Sequence, residues 1–409
     1  MIRNNMERKQ ISGGAGKPLE LYIHIPFCLK KCAYCDFLSA PAGEKEREEY
    51  VQILCEEIRT NAGKVEEYQV SSIFFGGGTP SLLTGDQFRM ILDTVRDQYH
   101  ISADAEISME MNPGTVTDEK LKAYKDAGVN RLSIGLQSVH DEELRMLGRI
   151  HTYEEFLEAY RSARMCGFDN INIDLISAIP GQTAESWTET LRTVAALEPE
   201  HISAYSLIIE PGTLFYDRYG EDAGREERAE SGCEKRKGAN LPWPALPTEE
   251  EEREMYHQTE QILVGAGYQR YEISNYAKPG YRCRHNCGYW RRVPYLGFGV
   301  GAATFFEGAR YSNPEKMTEY RDNFEEKFSG EKLSLEDEME EFMFLGLRMT
   351  EGISKTEFEE AFGIGIEAVY GKPIRKLKGM HLIEEHEDRI ALTEQGIDVS
   401  NTVFVEFMF

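Results

Sequence analysis

An α/β fold with a parallel sheet is what this sequence predicts, on three observations. Six short β-branched or apolar runs recur: Leu21–Ile25, Ser72–Phe75, Glu106–Met111, Arg131–Gly135, Ile171–Ile176 and His201–Leu207. Between them the apolar spacing turns helical. Phe88, Ile91, Leu92 and Val95 fall at i, i+3, i+4 and i+7, and Tyr50, Ile53, Leu54 and Ile58 make a similar stripe. Punctuation residues sit where the alternation needs them. Thr117-Asp-Glu-Lys120 and Thr183-Ala-Glu-Ser186 read as helix starts, and Gly128 and Gly167 stand where a helix should yield to the next strand. Strands alternating with helices imply right-handed crossovers in one parallel sheet. Six such units suit a partial (β/α)6 barrel and equally an open doubly wound sheet; periodicity does not choose between them.

At 409 residues the chain is long enough for two or three domains, and 41% hydrophobic with 29% charged residues is the composition of a globular protein. No apolar run reaches the length of a transmembrane segment, and Met1–Met6 lacks the apolar stretch of a signal peptide. The expected setting is cytoplasmic, where thiols stay reduced and clustered cysteines mean metal rather than disulfides. A net charge of −25 disfavours nucleic acid as a partner, because a polyanion is repelled over most of such a surface.

The chain divides into an N-terminal tail (1–20), the six-unit region (21–218), an insertion (219–252), a barrel-closing segment (253–320) and a C-terminal domain (321–409). The insertion carries dense mixed charge and then Pro242-Trp-Pro-Ala-Leu-Pro247, which reads as a mobile surface segment with Cys233 an unpaired thiol in it. In the C-terminal part, Phe342, Leu345, Leu347 and Met349 suggest a buried helix and Phe358–Phe362 a second. Leu382–Leu392 reads as a hairpin turning at His386–Asp388. Helices followed by a hairpin make a mostly helical, winged-helix-like module. With about twice as many acidic as basic side chains it is a poor DNA binder, and a structural or substrate-covering role is expected.

Chemistry concentrates first at Cys28, Cys32 and Cys35, spaced C-x3-C-x2-C directly after the first strand run. Three thiolates on one short loop can wrap three corners of a cubane iron–sulfur cluster and leave the fourth iron open. A zinc knuckle is the alternative. It needs a fourth ligand, for which Asp36 is adjacent, but zinc motifs normally pair two C-x2-C units. The second signal is Phe74-Phe-Gly-Gly-Gly-Thr-Pro80, where glycines after a strand let backbone groups approach a ligand. Parallel sheets bind ligands at the C-terminal ends of their strands, which is where these glycines fall. Glu110, Gln137, Asp174 and Arg149 are further polar residues at or near strand ends. Singly each reads as a cap or a surface charge; together they fit one polar mouth.

The cysteine spacing and its flanks resemble the radical S-adenosylmethionine (SAM) family, in which SAM chelates the open iron of a [4Fe–4S] cluster. Leu21–Phe37, Phe75–Ser81, Gly135–Ser138, Leu147–His151 and Ile173–Ile176 resemble the oxygen-independent coproporphyrinogen III oxidase family within it. Glu210-Pro-Gly-Thr213, and Tyr271–Gly280 leading into His285-Asn-Cys-Gly-Tyr-Trp290, resemble its haem-chaperone (HemW) branch. The resemblance implies the partial barrel, cluster ligation by Cys28, Cys32 and Cys35, and SAM contacts from Gly77, Gly78, Thr79, Glu110, Gln137, Arg149 and Asp174. Tyr22 would meet the methionine end of SAM and Tyr34 its adenine. His285 would ligate haem, with Tyr289 and Trp290 as flat faces for the porphyrin; the alternative is a hydrogen-bonded structural histidine. Cys283 and Cys287 bracket that motif as possible sulfur ligands for haem or zinc, which the family pattern does not require. Cys55 and Cys166 read as core positions on helices.

In coproporphyrinogen oxidases a fourth cysteine follows the third at +2. Phe37 holds that position here, and Met1–Glu20 shows no sign of the extension that shapes the porphyrinogen site. The expected function is therefore a haem chaperone that passes haem to an acceptor protein. A flavodoxin- or ferredoxin-type electron donor is implied as a further partner. The alternative is an oxygen-independent coproporphyrinogen III oxidase, a radical oxidative decarboxylase of porphyrin biosynthesis.

Overall fold

The computed structural model describes residues 16–220, 243–324 and 330–409. Its first half alternates strand and helix as the sequence implies: β1 (Lys17–Ile25), α1 (Glu44–Asn61), β2 (Tyr68–Gly77), α2 (Gly85–Gln98), β3 (Ile101–Met111), α3 (Asp118–Ala127), β4 (Arg131–Gln137), α4 (Asp141–Met146), α5 (Tyr153–Met165), β5 (Ile171–Ser177), α6 (Ala184–Ala196) and β6 (His201–Ser206). Thr117 and Thr183 cap α3 and α6 through their side chains, and Gly128 takes a left-handed φ of 106° to end α3.

Strands β1 to β6 lie side by side in chain order and all parallel. Sequential order sends every crossover helix to the same face, which is barrel winding; a doubly wound sheet would reverse partway. The sheet is open, so it is a partial barrel. Alternation along the strands separates two environments. Leu21, Ile23, Ile73, Phe75, Met109, Leu132, Ile134, Ile173 and Leu175 face the helices and form the main core. Glu20, His24, Ser72, Glu106, Ser108, Arg131, Ser133, Asn172, His201 and Ser203 occupy the alternate positions and are buried.

The closing segment runs through α7 (Leu214–Tyr219), α8 (Glu249–Gly265), β7 (Gln269–Arg270), β8 (Asn275–Ala277), α9 (Arg284–Trp290), β9 (Tyr295–Phe298), β10 (Ala303–Phe306), β11 (Ala309–Ser312), α10 (Met317–Asn323) and β12 (Glu331–Lys332). The large sheet has the order β12-β11-β10-β9-β1-β2-β3-β4-β5-β6-β8-β7, with β9 parallel to β1 and β8 antiparallel to β6. Helix α8 is locked to α6 by Trp187, fully buried, whose Nε1 donates to Thr259 Oγ1 at 2.9 Å and Met255 O at 3.1 Å. Burying such a side chain contributes on the order of 2–3 kcal/mol.

A second core belongs to α11 (Leu335–Gly346), β13 (Ile353–Ser354), α12 (Lys355–Phe362), α13 (Ile366–Gly379), β14 (Ile383–His386), β15 (Arg389–Leu392), α14 (Glu394–Asp398) and α15 (Ser400–Val405). The β14–β15 hairpin and the three-stranded order β13-β15-β14 give the winged-helix-like module. Helix α11 starts earlier than its apolar run suggested, because Ser334 caps it and its buried residues include Met339 and Met343.

Several sequence boundaries shift. Strand β1 begins at Lys17, inside the expected tail, and β12 hydrogen-bonds into the large sheet although it falls past residue 321. Most of the expected insertion, with Cys233, lies outside the described residues. Its described end is docked: Trp243 packs on Phe215 and Tyr219, and Ala245 O accepts from Gly181 N at 2.9 Å. Prolines there pre-set an extended backbone that lays the ring onto α7. Cys166 caps the end of α5 half-buried, whereas Cys55 is core.

Candidate cofactor site

The loop 26–40 leaves β1 at the C-terminal end of the barrel strands. Two backbone bonds close its base, Cys28 N to Ala40 O at 3.1 Å and Ala40 N to Pro26 O at 3.0 Å. Its middle is pinned twice more: Ala33 N donates to Leu147 O at 2.9 Å, and Phe215 N donates to Ala33 O at 3.0 Å. Such bonds fix a loop that carries little side-chain core of its own. Cys28, Cys32 and Cys35 stand on it as free, half-buried thiols. Cys28 Sγ lies 3.4 Å from Thr79 Oγ1, and Arg149 Nη1 donates to Cys32 Sγ at 3.7 Å. Burial pushes the Cys35 thiol up to about 11, so a metal must displace its proton to bind.

The glycine triplet ends β2 beside this loop. Gly78 N donates to Ile25 O at 2.9 Å, and a Cβ at Gly78 would stand 2.7–2.8 Å from the backbone of Ile25 and Phe27. Gly77, at a φ of 105°, donates its N–H to Glu110 Oε2 at 3.0 Å. These glycines therefore admit the cluster loop and a carboxylate as much as any ligand. Glu110 is raised to about 8 by burial and, next, by the charge of Asp174. Asp174 accepts from Ser133 Oγ and Asn172 Nδ2, each at 2.8 Å. Gln137 holds a left-handed φ of 76° at a bulge ending β4, a conformation costing roughly 1 kcal/mol or more that concentrates at functional sites.

Seven of the expected SAM contacts (Gly77, Gly78, Thr79, Glu110, Gln137, Arg149 and Tyr34) thus gather at the mouth with the three cysteines. Tyr22 lies lower, its hydroxyl 3.0 Å from His24 Nδ1, and burial pushes its pKa up. The donor set fits an iron–sulfur cluster with a zwitterionic ligand. Three thiols share one loop, and Arg149, whose Nη1 reaches Cys32, keeps a buried Nε with no partner in the protein. Among the described residues no group of three or more His, Cys, Asp and Glu side chains is gathered as for a single ion.

His285 is elsewhere. Helix α9 plugs the opposite, N-terminal end of the barrel, where Ser72 stands about five residues below Gly77 on β2, roughly 16 Å away. Glu106 caps this helix, accepting from Arg284 N at 3.0 Å and His285 N at 3.4 Å, where negative charge suits a helix start. His285 is 1% exposed. Its Nδ1 is 2.8 Å from Ser72 Oγ and its Nε2 3.0 Å from Tyr289 OH, while Phe74 stacks on the ring at 5.1 Å. Gly288 is required by the plug, since a Cβ there would meet the buried Glu20 carboxylate. The C-terminal module grips the same helix: Glu351 accepts from Arg291 at 2.7 Å and Arg282 at 3.1 Å. Both ring nitrogens are thus hydrogen-bonded and the ring is enclosed, the arrangement of a hydrogen-bonded structural histidine. Cys283 and Cys287 are buried on the same plug.

Burial and the charge of Arg131 lower His285 to about 3 from 6.5. Because the folded value lies below the unfolded one, the unfolded chain takes the proton first. Stability is therefore expected to fall as pH drops below about 6.5, by up to ~1.4 kcal/mol per pH unit for this one group. Urea midpoints at neutral and mildly acidic pH should separate less in His285→Gln than in the parent; equal separations would contradict this.

Sequence reasoning missed Ser72, Glu106, Arg131 and the buried chain Asn172–His201–Tyr271, in which His201 bonds Asn172 Oδ1 at 2.6 Å and Tyr271 OH at 2.8 Å. A signal existed. Polar residues recur at every second position, as in Glu106-Ile-Ser108-Met-Glu110 and Asn172-Ile-Asp174, which marks a polar barrel interior.

Comparison with known proteins places this geometry. The profile described as Radical SAM superfamily matches residues 22–194, and that of the HemN C-terminal domain matches residues 333–399. A haem chaperone HemW from Bacillus subtilis is 36% identical over 392 residues, 95% of this chain and 98% of that protein. One from Escherichia coli is 37% identical over 397 residues, 96% and 98% of the two chains. The structure of coproporphyrinogen III oxidase (HemN) from Escherichia coli superposes with a TM-score of 0.80 over 96% of this chain and 90% of that one; at 24% identity this likeness is one of fold.

Proposed function

The chain belongs to the HemW family of haem chaperones within the radical SAM superfamily, and from that premise we propose that it binds haem and hands it to an acceptor protein. It does so with a [4Fe–4S] cluster on Cys28, Cys32 and Cys35 and with SAM at the open iron. The observation that carries the cluster assignment is the loop 26–40, with three thiols on one pinned turn and Phe37, 58% exposed, where a fourth cysteine would stand. When bound, cluster and SAM supply one-electron chemistry at that iron.

The chain's own residues define the pocket. Arg149 offers a guanidinium and Glu110 and Asp174 offer carboxyl groups to the charged and hydroxyl-bearing ends of a nucleoside sulfonium. Thr79 and Gly78 hold β2 against the cluster loop, and Gln137 closes the mouth at β4. Tyr34, half-buried on the loop, supplies an aromatic face for the adenine. Haem is the cargo. Coordination by His285 requires a ring nitrogen to be released, Nδ1 from Ser72 on β2 or Nε2 from Tyr289 one turn along the same helix. A cytoplasmic setting and a flavodoxin- or ferredoxin-type donor fit an oxygen-sensitive cluster.

The test is a haemin titration of the anaerobically reconstituted protein, with coproporphyrinogen III, SAM and a reductant in a parallel assay. A saturable Soret shift near one haem per chain without CO2 release is expected; steady CO2 release would replace the chaperone by the decarboxylase. An unchanged Soret shift in His285→Ala would assign haem to other residues.

A further inference from the structure

We infer that Arg149 is a charged hydrogen-bond donor to the Cys32 sulfur and sets the reduction potential of the cluster, a role separate from any contact with SAM. The inference rests on the cluster reading above. The contact is built into the backbone. Cys32 and Arg149 sit on segments bonded to each other, through Ala33 N to Leu147 O at 2.9 Å. Gly148, at a φ of 77°, turns the chain so closely past the cluster loop that a Cβ would lie 3.3 Å from Ala33 N. Arg149 N then donates to Leu144 O at 2.9 Å, fixing the root of the side chain.

The guanidinium is fixed at its far end as well. Nη2 donates to Gly135 O at 2.7 Å, which leaves Nη1 3.7 Å from Cys32 Sγ, within reach for a bond to a large, soft sulfur. A guanidinium keeps its charge at any working pH, so the donor is cationic. Nε remains buried and unpartnered, free for a ligand carboxylate. One side chain thus reaches a cluster sulfur while keeping a donor in reserve. Cys28 has only the neutral Thr79 hydroxyl at 3.4 Å.

Hydrogen bonds to ligand sulfurs and nearby positive charge both favour the reduced cluster, because reduction adds one electron and hence negative charge. Removing Arg149 removes both. The experiment uses the anaerobically reconstituted full chain without SAM, so that any loss of SAM affinity cannot enter. Dithionite supplies the electron, and electron paramagnetic resonance reads the reduced fraction against applied potential. Arg149→Gln is expected to lower the reduced-to-oxidised ratio about tenfold at the parent's midpoint, a shift of ~59 mV to more negative potential for a one-electron couple. Arg149→Lys, which keeps the charge but not the fork, should fall between.

Midpoints equal to the parent's in both variants, with full iron and sulfide content, would overturn the inference. So would loss of the cluster from both with circular dichroism unchanged, since a donor that only tunes potential leaves three thiolates able to ligate. A parent protein that takes up no [4Fe–4S] cluster would remove the cluster reading and this inference together, a result distinct from an unchanged potential on an intact cluster.

Discussion

Cys32→Ala is expected to abolish the cluster, taking iron after anaerobic reconstitution from about four atoms per chain to less than ~1. The argument is one of ligand supply. Two thiolates cannot hold a cubane against competing thiols in solution, and no other described cysteine can step in. Cys55 is buried in α1 with its sulfur toward Met90 O, Cys166 ends α5 near Asp118 O, and Cys283 and Cys287 lie on the barrel-floor plug. Cys287→Ala is the matched control and should keep its iron. Iron retained in Cys32→Ala, or zinc found in place of iron in the parent, would remove the cluster assignment.

Glu106→Ala should destabilise the fold by roughly 3–5 kcal/mol, the scale at which a buried charge loses its counter-charge. Glu106 accepts from the first two amides of α9 and from Ser108 Oγ at 3.2 Å, and it is one of the carboxylates beside Arg131. Arg131 is 2% exposed with its Nε already unpartnered. Deleting the carboxylate therefore removes a charge partner of the buried Arg131 guanidinium and strands the buried His285 amide, while the Arg284 amide, part-buried, can turn to water. Urea unfolding is the measurement. Glu106→Gln should cost less, because its amide oxygen still accepts; a change below about 0.5 kcal/mol in Glu106→Ala would show that α9 does not depend on this cap.

How far the sequence spoke depended on the range of the interaction. The six parallel strands, the helix starts at Thr117 and Thr183 and the β14–β15 hairpin were legible because periodicity, capping side chains and turns are local. Much of the mouth was legible for the same reason: Thr79, Glu110 and Gln137 lie at or next to their own strand ends, whereas Arg149 returns to the mouth from beyond α4. The floor was not. That α9 turns His285 inward onto Ser72, 213 positions away, depends on β9 returning to pair with β1 and on Glu106 being free inside the barrel. An exposed motif and an enclosed one have the same letters. Barrel or doubly wound sheet was likewise undecidable from spacing, since the two differ only in strand order.

The margins of the large sheet carry a further consequence. An unclosed sheet ends in rows of bare N–H and C=O groups that can template another chain. Here each margin finishes in a strand of two residues: Glu331–Lys332 on one side, with both side chains exposed and of opposite charge, and Gln269–Arg270 on the other. Stubs this short, one of them ionic, offer a neighbouring copy too little ladder to grow on. The molecule can leave its barrel unsealed without inviting edge-to-edge polymerisation.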